Sequence, residues 1–196
     1  MSPSRPSLAG AFALLLAWAA LSSGCGSSAT SFSSVSHRHA TADEARIVVL
    51  PVGVPAALKL PPEEGRTLAA LCATELLDAY EILELERFEQ MLADKHLDLA
   101  DVLQEGTGKM AAKEMGVDAL LVSEVYNWRP GKPGILFLAK DGTIGFQGRL
   151  VDLASGSLIW SVNHVLETKP SEPLPIAASR VFETILHDMP RGTTSN

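Results

Sequence analysis

An α/β domain built on a mixed β-sheet flanked by helices is predicted by three observations in this 196-residue chain. Short aliphatic runs at 46–50 and 117–128 have the character of strands buried on both faces. Apolar residues recur at helical spacing from Leu68 to Ala79 and from Ala178 to Met189. Between those helices, residues 135–166 hold strand-like runs punctuated by glycine turns, the signature of antiparallel hairpins. The length suits one domain of about 100 to 150 residues with appendages. With 46% hydrophobic and 20% charged residues, a disordered or collagen-like chain is excluded. The net charge is -7, from 16 Lys and Arg against 23 Asp and Glu, with no basic cluster, so nucleic acid is excluded as a partner. Two cysteines cannot make a disulfide framework, and the core has to hold the fold.

The chain opens with an export signal over residues 1–24. Arg5 precedes an apolar run from Leu8 to Leu21, shorter than the ~20 residues a membrane-spanning helix needs. The run ends Leu21-Ser22-Ser23-Gly24-Cys25, which resembles the lipobox of bacterial lipoproteins. That resemblance implies cleavage before Cys25, acylation of its sulfur and anchoring in a membrane; palmitate is one expected acyl chain, and several chains together hold firmly. Ser22 stands where an aliphatic residue is usual, and ordinary secretory cleavage is the alternative. Gly26 after the cysteine implies, by the same resemblance, sorting to the outer membrane, facing the periplasm. Residues 25–45, rich in serine, read as a flexible tether, and His37-Arg38-His39 within it as solvated linker.

The single domain is expected over 46–190, with a disordered tail at 191–196. Arg46 to Pro51 is the expected first strand, and Pro61-Pro62-Glu63-Glu64 opens a helix whose buried stripe is Leu68, Leu71, Cys72 and Leu76. Cys72 reads as a small core residue. Tyr80 to Arg87 alternates as a strand, with Glu84 and Glu86 on one solvated face, and Phe88, Met91 and Leu92 return to helical spacing. A short helix follows over Lys109 to Met115, closed by Gly116. Val117 to Trp128 is the strongest strand and belongs at the sheet centre. Ile135 to Ala139 and Thr143 to Gln147 are expected to form one hairpin, Gly148 to Leu153 and Leu158 to Leu166 another. The last helix runs to Pro190.

Sites for chemistry are few. Gly106-Thr107-Gly108-Lys109 lacks the glycine five residues before the Gly-Lys pair, the following Ser or Thr, and a preceding strand, so nucleotide is not expected. An enzyme reading has to assemble His96, His164 or His187 with carboxylates, whereas each reads as a surface or strand-end residue. No catalytic residue, metal ligand or cofactor is assigned. Four consecutive apolar residues, Ile135, Leu136, Phe137 and Leu138, stand where a solvated hairpin alternates: either the protein's own helices cover both faces, or one face is left for another subunit, another protein or the lipid surface, and on the second reading they are the expected partner-binding segment.

Three segments in order carry a family resemblance: Glu75-Leu76-Leu77 through Glu81-Ile82-Leu83-Glu84-Leu85-Glu86-Arg87-Phe88-Glu89-Gln90-Met91-Leu92, then Gly116-Val117-Asp118-Ala119-Leu120-Leu121-Val122, then Gly148-Arg149-Leu150-Val151-Asp152-Leu153-Ala154-Ser155-Gly156-Ser157-Leu158-Ile159-Trp160. Together they resemble the CsgG-type periplasmic lipoprotein superfamily. The resemblance implies a fold like the amino-terminal domain of TolB and like the lipoprotein activators of penicillin-binding proteins. It implies an outer-membrane-anchored, non-catalytic interaction, scaffold or assembly component of the cell envelope. A homo-oligomer or an envelope protein is the implied partner. A subunit of a CsgG-like secretion complex, or an activator of peptidoglycan synthesis, is the alternative. A pore subunit needs strands of about 9 to 11 residues to cross the membrane, and residues 129–147 are interrupted by Pro130 and Pro133.

Overall fold

Successive residues of Ile47-Val48-Val49-Leu50 point to opposite sides of the sheet, and all four are buried, so this segment has a core on each face. The computed structural model describes residues 30–35 (as backbone), 45–61, 63–103, 106–134 and 139–189. Its strands are β1 (Thr30–Val35), β2 (Arg46–Val49), β3 (Glu81–Ile82), β4 (Ala119–Arg129), β5 (Gly142–Asp152) and β6 (Leu158–Thr168). Its helices are α1 (Glu64–Leu76), α2 (Leu85–Asp94), α3 (Leu99–Leu103), α4 (Thr107–Glu114) and α5 (Leu174–Leu186). The sheet order is β1-β6-β5-β4-β2-β3. β2 runs parallel to β3 and β4, and the β4-β5-β6-β1 half is antiparallel. The mixed α/β architecture expected from the sequence is therefore present.

One face of the sheet carries α1 and α5. Leu68, Cys72 and Leu76 meet Ala178, Val181, Phe182 and Ile185 over Leu121, Phe146 and Trp160. Phe146 and Phe182 pack edge to face with centroids 5.1 Å apart. The other face carries α2, α3 and α4, whose Phe88, Leu92, Val102 and Ala112 cover Val48, Leu50 and Leu120. This second layer reaches only the β2–β4 half. The outward face of β5 and β6, with Arg149, Asn163 and Glu167, stays exposed.

Four expectations are corrected. The stretch read as a tether contains β1, six residues paired antiparallel with Trp160 to Val165 of β6. Its low apolar content argues against a core element, but an edge strand is held by its backbone ladder. The strand expected over Tyr80 to Arg87 is only two residues long, because α2 begins at Leu85. Glu84 is its N-cap position and Glu86 lies in its first turn, so the two do not share a strand face. Thr143 to Gln147 pairs not with residues 135–139 but with β4 and β6, and continues through Gly148 as one strand. Gly148 reads as a break, yet it lies in mid-strand where Phe146, Trp160 and Val162 fill the space beside it. Finally, α3 was not expected at all. The Asp98 and Asp101 side chains accept each other's backbone N–H at 3.0 and 2.8 Å, a reciprocal cap that stabilises a five-residue helix.

The Gly106-Thr107-Gly108-Lys109 segment is explained by packing. A Cβ at Gly108 would lie 2.2 Å from the Asp101 carbonyl oxygen, so glycine is what lets α4 approach α3. Gly108→Ala is expected to lower stability by about 1 to 3 kcal/mol, read as a lower urea midpoint. An unchanged midpoint would show that the α3–α4 contact contributes nothing.

Candidate interaction surfaces

The motif residues turn out to be turn chemistry. Asp118 Oδ2 accepts the Arg46 backbone N–H at 2.9 Å, which ties β2 to the start of β4. Asp152 Oδ1 accepts both the Ser155 N–H and its hydroxyl at 2.6 Å, which closes the β5–β6 turn. Trp160 is fully buried beneath the α1/α5 layer. These residues build the fold, which is why the motifs point to architecture more than to chemistry.

The three histidines lie on separate elements. His96 follows α2 in a left-handed turn at φ 59°, and His187 follows α5, where its Nδ1 is 3.7 Å from Asp188. Both are exposed. His164 differs from the expectation of a surface or strand-end residue: it is in mid-β6, fully buried, and neither ring nitrogen has a hydrogen-bond partner among the described residues. Its position across from Phe146 explains the burial, because core-facing residues of β6 alternate as Trp160, Val162, His164 and Leu166. Burial pushes its pKa below the ordinary histidine range. Cys72, also fully buried, has its thiol pushed up to about 12, mainly by burial with a contribution from Glu75, so it is not a reactive thiolate. Among the described residues no three His, Cys, Asp or Glu side chains gather as a metal site, and no helix is long and apolar enough to cross a membrane.

Cys25 and the segment Ile135, Leu136, Phe137 and Leu138 lie outside the described residues. The chain on either side of the latter is described. Lys132 and Lys140 exchange backbone hydrogen bonds at 2.8 and 2.9 Å, so the β4–β5 connection is closed at its base. Arg129, Lys132 and Lys140 are all exposed there.

Among the open surfaces of the described residues are a polar sheet face and an apolar groove. The first is the uncovered face of β4, β5 and β6. The Tyr126 ring crosses Gly145, where a Cβ would come within 2.6 Å of it, and its hydroxyl donates to Asn163 Oδ1 at 2.7 Å. Beside it Gln147 donates to Glu124 at 2.8 Å. These bonds span all three strands and fix a polar face. The second is a groove of about 370 Å³ at the β3 edge of the sheet. Ala70, Ala73 and Thr74 of α1, with Leu77 at its C-cap, form one wall, and Ile82 and Leu85 stand opposite. Leu77 is 61% exposed and adds a large apolar side chain to the small ones of that wall. Arg66 at the groove donates to Glu89 at 2.6 Å, and this bond, with the charges of Glu89 and Glu86, holds its pKa above the usual value. The sequence gives little warning of this groove, since the α1 positions that line it fall on the side away from the apolar stripe.

Protonation of His164 offers a direct check on the buried face. Its pKa is lower in the folded than in the unfolded chain, so the unfolded state binds more protons as pH falls below about 6.5. Stability from this residue is thus complete above that pH and is lost progressively on acidification. His164→Leu is expected to retain more of its urea midpoint than the parent between pH 7.5 and 5.5. Equal losses in the two proteins would contradict the buried, unpartnered imidazole.

No protein-family model and no curated protein matches the chain. Solved structures share its fold. The PelC dodecamer from Paraburkholderia phytofirmans superimposes with a TM-score of 0.53 at 16% identity, covering 81% of this chain and 95% of that one. Lipoprotein GNA1162 from Neisseria meningitidis superimposes with a TM-score of 0.50 at 19% identity, covering 73% and 96% respectively. At these identities the likeness is one of fold: the chain has the α/β architecture seen in PelC and in lipoprotein GNA1162.

Proposed function

We propose that this chain is a bacterial envelope lipoprotein, acylated on Cys25 and anchored in the outer membrane facing the periplasm, whose domain acts without catalysis as an assembly component. The observation that carries the reading is the shared fold over nearly the full length of a lipoprotein and of a dodecamer's chain, joined to the export signal expected over residues 1–24, before Cys25. The three CsgG-like segments agree with it, and their residues here serve turns and packing. Self-association is the form of assembly that PelC suggests, and the open groove and open sheet face offer surfaces for it. Membrane strands drawn from β4, β5 and β6 are disfavoured, because their apolar faces are already covered by α1 and α5.

Cys25 is the test of the anchor. The full chain expressed in a Gram-negative host is expected to incorporate radiolabelled palmitate and to fractionate with outer membranes. Cys25→Ser is expected to do neither, and palmitate incorporation by that variant at the parent level would overturn the assignment.

A further inference from the structure

The two ends of the sheet differ in charge, and the sequence at one end matches the groove at the other. At one end, the groove beside α1 is lined by small side chains, Leu77 and Ile82, and is bordered by Glu84, Glu86 and Glu89 against Arg66. Arg87 lines a separate cleft beside Arg46 and Glu81. At the other end, residues 129–141 carry Arg129, Lys132 and Lys140 against Asp141 alone, in a chain whose net charge is -7. Between those lysines the sequence is Ile135-Leu136-Phe137-Leu138. One end is thus an acidic-rimmed apolar groove, and the other a basic-flanked apolar segment.

The same chain does not bring them together. The groove sits at the level of Ile47 and its neighbour Ala119, because β3 pairs with Arg46 and Ile47 of β2. The basic connection begins after Arg129, ten residues further along β4, a separation of roughly 30 Å at the rise of a strand. Resting on the self-association reading above, we infer that residues 135–138 of one copy dock in the groove between α1 and α2 of a second copy, with Lys132 and Lys140 facing Glu84 and Glu86. Opposite potentials favour this pairing and disfavour groove against groove or loop against loop. Because the contact joins different surfaces, every pair leaves one groove and one loop free. It is a heterologous interface, which adds copies until a ring closes.

Disulfide trapping in membranes containing the full chain tests this directly. Copies carrying Leu77→Cys are co-expressed with copies carrying Leu136→Cys, and each is also expressed alone. The mixture is expected to yield an oxidised dimer that neither single variant gives, and one chain carrying both changes is expected to yield a ladder beyond the dimer. Lys132→Glu with Lys140→Glu should lower the trapped yield at least about tenfold, and pairing that copy with one carrying Glu84→Lys and Glu86→Lys should restore it. An amine-reactive cross-linker applied to the same membranes separates the two levels of the claim. If it captures oligomers while the cysteine pair does not react, self-association stands and this docking is wrong. If neither reagent links the chains, both fall. Burial of Leu136→Cys in the bilayer, seen as protection from a water-soluble maleimide without any trapped dimer, would also overturn the docking in favour of a lipid contact.

Discussion

The fold depends on β4 being buried on both faces. Ala119, Leu121 and Val125 enter the α1/α5 core, while Leu120 enters the α2–α4 core. A fully buried Leu or Val contributes about 1.5 to 3 kcal/mol, so this one strand joins two apolar clusters into one cooperative unit. Its edges do the rest. One is taken in parallel by β2 and the other in antiparallel by β5, and the change of direction at β4 makes the sheet mixed. The Asp118 carboxylate on the Arg46 N–H fixes where β2 meets β4 and so sets the register in which both faces fill.

From that centre outward the sheet becomes asymmetric. On the β2–β3 side helices lie on both faces, and the sheet ends in a two-residue strand beside the groove. On the β5–β6 side only one face is covered, and the other is set with polar side chains that bond across strands through Tyr126 and Asn163 and through Gln147 and Glu124. The long axis is asymmetric too, with acidic residues at the groove and basic residues at the β4–β5 connection. A domain polarised in this way is suited to joining copies of itself side by side.

Much of this was legible in the sequence. The two-sided burial of β2 and β4, the stripes of α1 and α5, and the buried Cys72 follow from side-chain periodicity, which depends on apolar burial alone. What escaped was held by something else. β1 is held by backbone pairing, α3 by the reciprocal Asp98 and Asp101 caps, and the continuity of β5 through Gly148 by ladders to Ser123 on one side and Val162 on the other. His164 escaped because an imidazole carries no polarity signal that separates a core position from a surface one, although its spacing from Trp160 and Val162 marks the buried face. The anchor at Cys25 and the apolar segment 135–138 rest on sequence, and the groove was visible only once α1 and α2 were set against the β3 edge.

Assembly of copies is the proposed mode of action. Native mass spectrometry of the full chain, extracted from membranes in a mild detergent, measures this most directly. A single closed species of several copies, dissociating as ionic strength is raised, is the result expected from acidic and basic surfaces meeting in one interface. A monomer at every protein concentration and salt would contradict the account.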